Sequence, residues 1–244
     1  MAFEPGQPLH FKIELRPELP VFGLVDVRDQ KSNQYGILYQ GGSYAALVAQ
    51  VAAHAVIENA MQSGASGKAQ KMANEVVQDY ANTIAATTEA SVLSNAINSL
   101  PADVSNQFRL WSNASAFNAW TIELSPSYFI AQSQDSIVGF TSMRIYQSAD
   151  DNFAARGLIA VSSPAQLRNA DNSINSTAFR AAIEEINTEL ITMAITAANQ
   201  WNQPVNQTQK TWTYYQGRSK RFERAQLVYR NCDRATLQTL RGEW

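Results

Sequence analysis

The stretch STAFRAAIEEINTELITMAITAAN, residues Ser176 to Asn199, decides which kind of fold this chain can form. Its apolar residues recur at steps of three and four, which is the spacing of one face of an α-helix. The apolar face comprises Phe179, Ala182, Ile183, Ile186, Leu190, Met193, Ala194 and Ala197. The opposite face carries Glu184, Glu185, Thr188 and Glu189. Because such a helix must bury its apolar stripe, we expect it to lie on a β-sheet.

Strand signals stand on both sides of this helix in the sequence. Runs that alternate apolar and polar residues, or that are rich in β-branched and aromatic residues, predict strands. Before the helix, such runs lie within residues 10–29, 120–124, 128–131, 137–146 and 156–164. Prolines 17, 20 and 126 predict breaks between runs, because proline cannot donate to a strand ladder. After the helix, TWTYYQ (211–216) and FERAQLVYR (222–230) predict a hairpin around a glycine-containing turn.

The most apolar stretch of the chain is GGSYAALVAQVAAHAVIENAMQ, residues Gly41 to Gln62. Its length is close to that of a membrane-spanning helix. However, Gln50, His54, Glu58 and Gln62 repeat at intervals of four and form one polar stripe. Burying that stripe in lipid would be costly, whereas an amphipathic helix leaves it in water. We therefore predict a helix of a folded domain and no transmembrane helix.

A second helix is predicted after the turn at residues 63–67, continuing to about Leu100, where Pro101 ends it. The two helices form a predicted αα-hairpin over about residues 43–100. Small side chains on its first arm, Ala45, Ala49 and Ala53, permit close approach of another helix. That neighbour is either the second arm of the same hairpin or a neighbouring subunit, so these alanines are a possible helix-packing or assembly surface.

The order of these elements predicts an α+β fold. An antiparallel or mixed sheet is expected to pack against the αα-hairpin and the one long C-terminal amphipathic helix. Residues 1–8 are expected to form a flexible N-terminal tether, and residues 9–244 a single domain. Two shorter predictions complete the chain: a helical turn at Phe108–Trp111 and a final short helix in RATLQTL, residues 234–240.

Charge is low overall and unevenly distributed. Only 16% of the residues are charged and the net charge is −2. From Trp201 onward, eight Lys or Arg residues stand against three acids, so this tail carries about +5 and the rest about −7. Its hairpin provides a candidate surface for a partner or for an anionic lipid or glycan. The residues of that candidate surface are Trp212, Tyr214, Arg218, Lys220, Arg221 and Arg224. The alternative is a solvated hairpin face with ordinary cross-strand packing.

The sequence offers little material for catalysis. It contains one cysteine, Cys232, and two histidines that lie far apart in the chain. An internal disulfide is excluded, and zinc sites and Ser-His-Asp arrangements lack ligands and bases. Neither the nucleophile-elbow pattern nor a phosphate-binding loop occurs. We therefore expect no catalytic residue, cofactor or metal site, and no nucleic-acid partner, because the chain is acidic and lacks a recognition motif.

Three segments together resemble uncharacterised cell-envelope lipoproteins of Gram-negative bacteria: YQGGSYAALVAQ (39–50), LSPSYFIAQSQ (124–134) and RGLIAVSS (156–163). The resemblance implies a periplasmic or outer-membrane location. MAFEPGQPLHF at the N-terminus lacks the basic and apolar regions of a signal peptide. We expect that Met1 either is a native start or stands where a lipidated cysteine begins the native mature chain.

The function expected from these observations is binding or assembly at the cell envelope, without enzymatic activity, through a protein partner or a homo-oligomer. Two alternatives remain open. The neutral polar composition also fits a structural subunit of a virion or secretion machine, which would place the chain in a virion or in the cytoplasm. A small hydrolase with an unrecognised site is the other.

Overall fold

The computed structural model describes residues 4–26, 37–38, 65–112, 119–147, 153–200, 210–216, 219–230 and 235–239. The strands in these residues are β1 (Leu9–Ile13), β2 (Val21–Asp26), β3 (Ile37–Leu38), β4 (Phe108–Leu110), β5 (Trp120–Ala131), β6 (Ser136–Gln147), β7 (Phe153–Pro164), β8 (Lys210–Gln216), β9 (Ser219–Arg230) and β10 (Ala235–Thr239). The helices are α1 (Ala65–Asp79), α2 (Ala81–Ala85), α3 (Glu89–Asn98), α4 (Ala102–Gln107) and α5 (Ser176–Gln200). The predicted α+β class is therefore confirmed.

A mixed sheet of seven strands, β1 to β7, contains the long strand β5 at its centre. One side of β5 pairs with β6 in antiparallel fashion along almost its whole length, and β6 pairs in turn with β7. The other side of β5 is shared by β1 and β2, which both run parallel to it. The outermost positions are taken by β4 beside β1 and by β3 beside β2.

The predicted break at Ser125–Pro126 is wrong, because β5 runs through this proline without interruption. Leu124 accepts a hydrogen bond from the amide of Glu14 at 3.0 Å, and the amide of Tyr128 donates to Pro20 at 2.9 Å. Pro126 lies midway between Leu124 and Tyr128, and its backbone nitrogen faces the same edge of β5. At that position β1 has ended and β2 has not begun, so the missing N–H of Pro126 leaves no ladder bond unmade.

The long helix α5 lies on one face of the sheet, as its apolar stripe predicts. Its buried residues join Ile122, Ile137, Ile145 and Ile159 of the strands in one apolar core. Contact is closest at Gly139 of β6, where an added Cβ would stand 2.1 Å from Cγ2 of Ile186. Helix α1 packs against β2 equally closely, because a Cβ at Gly23 would stand 2.3 Å from the carbonyl oxygen of Ala73.

The second arm of the predicted αα-hairpin is helical, but it is not one continuous helix. It is divided into α1, α2 and α3 by interruptions at Tyr80 and at residues 86–88. Thr88 has an extended backbone and its side chain accepts a hydrogen bond from the amide of Ser91, which starts α3 as a separate helix. The predicted first arm, with Ala45, Ala49 and Ala53, lies outside the described residues.

Two further local predictions are wrong. Phe108–Leu110 is strand β4 and not a helical turn, because Phe108 stacks on Phe11 of the neighbouring β1 with ring centroids 4.7 Å apart. Ala235–Thr239 is strand β10 and not a helix, because it pairs with β9. Both segments are short, and in both a strand pairing that sequence does not show overrides local preference.

Candidate binding surface on the three-stranded sheet

Strands β8, β9 and β10 form a separate antiparallel sheet, with β9 in the middle. The predicted hairpin is therefore present as β8 and β9. Residues directly opposite each other in an antiparallel pair share a face of the sheet. The register places Thr211 opposite Arg224, Trp212 opposite Glu223, Tyr214 opposite Arg221 and Tyr215 opposite Lys220.

One face of the β8–β9 pair is anchored by Trp212. Its indole N–H donates to the backbone carbonyl of Ala225 at 3.0 Å, so this polar group is engaged within the sheet. Ala225 itself is fully buried, and Trp212 is half-buried. The positions of Tyr214 and Arg221 belong to this same face. This face therefore serves packing at the Trp212 end.

The opposite face, which we call the Thr211 face, comprises the positions of Thr211, Thr213, Tyr215, Lys220, Phe222 and Arg224. Thr211, Thr213 and Arg224 are exposed to solvent. Positions 220 and 224 are cationic, and the register places the single acid of these two strands, Glu223, on the other face. The Thr211 face therefore combines positive charge with hydroxyl donors.

The structure thus divides the predicted binding residues into two groups. Lys220 and Arg224 lie on the Thr211 face, whereas Trp212, Tyr214 and Arg221 lie on the other. Arg218 lies outside the described residues, as do Ala45, Ala49 and Ala53. Thr211 and Thr213 were missed, although strict alternation along TWTYYQ is a signal that could have placed them beside the cations.

A second polar cluster, which sequence reasoning also missed, lies where the strand beside β5 is broken. Glu89, the first residue of α3, is only 2% exposed. Its Oε2 accepts a hydrogen bond from the backbone amide of Arg16 at 2.5 Å, while Oε1 has no hydrogen-bond partner among the described residues. The guanidinium of Arg16 lies 3.5 Å from the carboxylate of Glu14, which also accepts a hydrogen bond from Ser125. This cluster ties the β1–β2 connection to α3.

Burial raises the pKa of Glu89 from 4.5 to about 6. Its hydrogen bond from Arg16 and the positive charge of Arg16 oppose that rise, and the negative charge of Glu14 adds to it. Tyr128, whose hydroxyl donates to Oδ1 of Asn187 at 2.9 Å, is buried nearby. Its pKa is raised, first by burial and then by the charge of Glu89. The hydrogen bonds of Glu89 and Tyr128 therefore join α3 to the β1–β2 connection and β5 to α5.

A shallow cleft of about 410 Å³ lies where the β5–β6 turn meets the chain after β7, between residues 133–135 and 164–168. Its cation, Arg168, donates through Nε to Gln134 at 2.5 Å and through Nη1 to the carbonyl of Asn172 at 2.8 Å. The third nitrogen is paired with Asp79 of α1. Because all three nitrogens have protein partners, we assign Arg168 a structural role that ties this turn to α1.

Two features are absent from the described part of the chain. It holds no group of three or more His, Cys, Asp or Glu side chains arranged for a metal ion. None of its helices is both long enough and apolar enough to cross a membrane.

Comparison with known proteins identifies no family. No family model matches the chain, and no curated protein matches it. One solved structure that aligns with it is a Xanthomonas campestris protein of the family DUF330, with 13% identity and a TM-score of 0.33. The alignment covers 82% of this chain and 92% of that one. At this TM-score the likeness carries no argument about fold or function.

Proposed function

We propose that the protein is a non-enzymatic binding or assembly protein of the cell envelope. In its native form it is tethered by lipid at its N-terminus and faces the periplasm. The observation that carries the proposal is the Thr211 face, on which Thr211, Thr213 and Arg224 are exposed and position 220 is also cationic, on a sheet whose other face is anchored by Trp212. A surface of this composition suits recognition of an anionic partner.

The lipid tether is supported by the resemblance of three segments to envelope lipoproteins and by the position of the N-terminal residues. The amide of Gly6 donates to Oδ1 of Asn199 at 2.9 Å, near the C-terminal end of α5. A tether before Gly6 therefore leaves the molecule beside the point where α5 ends and the chain continues toward β8.

The test is the intact mass and membrane fractionation of the protein expressed from its complete native gene. A mass that includes a triacylated cysteine, with the protein in the outer-membrane fraction, is the expected result. An unmodified chain that begins at Met1 and stays in the soluble fraction would overturn the lipoprotein proposal. It would instead favour a structural subunit of a virion or of a cytosolic assembly.

Assembly through the alanines of residues 41–62 is tested separately. If Ala49 and Ala53 lie at an interface between subunits, Ala49→Leu and Ala53→Leu should dissociate oligomers and leave the circular-dichroism spectrum and melting temperature nearly unchanged. Ala90→Leu, on the exposed side of α3, is the matched control and should alter neither. If both interface variants unfold instead, these alanines pack within one chain and the interface is excluded.

A further inference from the structure

We infer that the Thr211 face binds the phosphate groups of anionic lipid headgroups and is the second attachment of the protein to its membrane. This inference rests on the proposed lipid anchor and names the partner of the same surface. Its first support is geometric. Thr211 on β8 stands directly opposite Arg224 on β9, so their Cβ atoms lie about 4.5–5.5 Å apart. From Cβ atoms this close together, the guanidinium of Arg224 and the hydroxyl of Thr211 can both donate to oxygens of one phosphate.

The charge distribution over the face extends this site. Lys220 lies four residues from Arg224 on the same strand and face, about 13 Å away at the rise of a β-strand. Phe222 occupies the position between them, and Thr213 stands opposite Phe222. Cations separated by an apolar position suit the headgroup layer, where charge meets phosphate and apolar groups meet the acyl boundary.

A glycan fits this face less well than a phosphate surface. Sugar rings are commonly bound against an exposed aromatic ring with polar groups around it. Trp212 lies on the opposite face, and its N–H is already donated to the carbonyl of Ala225. The aromatic positions of the Thr211 face, Tyr215 and Phe222, each stand next to a cationic position, which favours an anionic ligand over a neutral sugar. The Thr211 face is a strip of two paired strands, on which Thr211, Thr213 and Arg224 are exposed. Its positive charge suits a flat anionic surface.

The position of the face in the chain agrees with a membrane role. The N-terminal residues contact the end of α5 through Gly6 and Asn199, and β8 begins ten residues after α5 ends. Ten residues span at most about 35 Å. A lipid anchor before Gly6 would therefore start near the C-terminal end of α5. The chain that leads to the Thr211 face starts at that same end, so both attachments can reach one membrane.

The Thr211 face is expected to contribute only modestly to membrane affinity. We therefore infer that it is a second attachment and not the only one. Two cations near an anionic surface increase partitioning by about 30-fold in total. Membrane attachment by lipid chains is itself often strengthened by a second, basic signal on the protein. The Thr211 face supplies that signal.

The experiment is co-sedimentation of the full 244-residue chain with vesicles at low ionic strength. Vesicles of phosphatidylcholine alone are compared with vesicles that contain increasing fractions of phosphatidylglycerol. The test variant is Lys220→Gln with Arg224→Gln. The matched control is Lys71→Gln with Arg180→Gln, which removes the same charge from exposed positions on α1 and α5. We expect binding to rise with phosphatidylglycerol, to fall about 30-fold in the test variant and to change little in the control.

Three results would overturn the inference: equal binding to neutral and anionic vesicles, equal loss in the test and control variants, and no binding at the highest phosphatidylglycerol content. Competition distinguishes a lipid surface from free phosphate, because inorganic phosphate at matched ionic strength should displace the protein no better than chloride does. Displacement by phosphate alone would overturn the assignment to lipid. The proposed function is judged independently by the native mass and cell fraction, so failure of one is distinct from failure of the other.

Discussion

At the scale of single residues, the buried carboxyl of Glu89 is expected to make stability depend on pH. Its carboxyl is buried, accepts one backbone hydrogen bond, and has a pKa raised from 4.5 to about 6. Between these two pH values the folded chain binds a proton more tightly than the unfolded chain. The contribution of Glu89 to stability is therefore greatest below about pH 4.5 and falls as the pH rises through about 6.

The variant Glu89→Gln tests this contribution. Glutamine keeps an acceptor for the amide of Arg16 and never carries a charge. The unfolding free energy of the variant is compared with that of the parent chain at each pH. From pH 4.5 to pH 7.5 this difference should move in favour of the variant by about 2 kcal/mol, because a pKa raised from 4.5 to about 6 corresponds to about that free energy. Urea denaturation at the two pH values measures it.

The control for this prediction is Ala90→Gln on the exposed side of α3, which neither adds nor removes a titratable group. Its effect on unfolding free energy should be nearly the same at both pH values. If Glu89→Gln also changes stability equally at pH 4.5 and pH 7.5, then the carboxyl of Glu89 does not titrate as described and its burial is not the cause of a pH dependence.

Sequence could not predict this buried carboxyl, although it could have predicted the start of α3. Thr88 followed by Glu89 and Ser91 is an ordinary helix-start pattern, and such a glutamate is usually on the surface. Its burial arises because α3 packs against the connection between β1 and β2, which lies more than seventy residues earlier in the chain. No local pattern contains that information.

At the scale of elements, the contact between α5 and the sheet depends on the absence of a side chain at Gly139. A Cβ there would stand 2.1 Å from Cγ2 of Ile186. Gly139→Ala should therefore lower the unfolding free energy by about 1–3 kcal/mol, because a well-packed core resists added atoms. Ile186→Ala removes the colliding methyl group and should cost about 2–5 kcal/mol by itself.

The double variant should cost less than the sum of the two single variants, because each substitution makes room for the other. Ile183→Ala, one turn earlier on α5 and also fully buried, is the matched control. Its cost should add to that of Gly139→Ala without coupling. Additivity in both pairs would show that Ile186 does not fill the space above Gly139. Calorimetric or chemical unfolding of the three single and two double variants, beside the parent chain, measures these couplings.

Sequence predicted the elements whose signal is local and missed those whose structure depends on a partner strand. The 3- and 4-residue spacing of α5 predicted the helix and its buried face, because that signal lies within one element. The break predicted at Pro126 was wrong, because the missing amide faces a gap between β1 and β2 that only the pairing reveals. The helix predicted for residues 234–240 was wrong for a similar reason, since β9 provides the strand that β10 pairs with.

At the scale of the whole molecule, sequence predicted the α+β class but not the arrangement of the strands. The centre of the sheet joins β1 and β2 to β5 in parallel, and paired residues are separated by more than one hundred positions, a stretch whose described part includes four helices. Alternation of apolar residues marks a strand, but it does not identify the partner of that strand. The candidate surface was found in part, because its charge is local in sequence, but the division between its two faces required the register.

The distribution of the core leads to a prediction about the molecule as a whole. Every member of the main apolar core among the described side chains lies between Leu9 and Ala198. A chain that ends at Gln200 should therefore keep a cooperative thermal transition and a mixed α/β circular-dichroism spectrum. It should also lose binding to phosphatidylglycerol vesicles, because the Thr211 face is absent. The full chain, measured in parallel, is the control for both properties.

If the shortened chain unfolds or aggregates, the three-stranded sheet is part of one cooperative domain over residues 9–244, and the vesicle result must then be taken from the Lys220 and Arg224 variant. If the shortened chain folds and still binds anionic vesicles as the full chain does, the membrane-binding surface lies elsewhere, and the electrostatic argument for Arg224 fails.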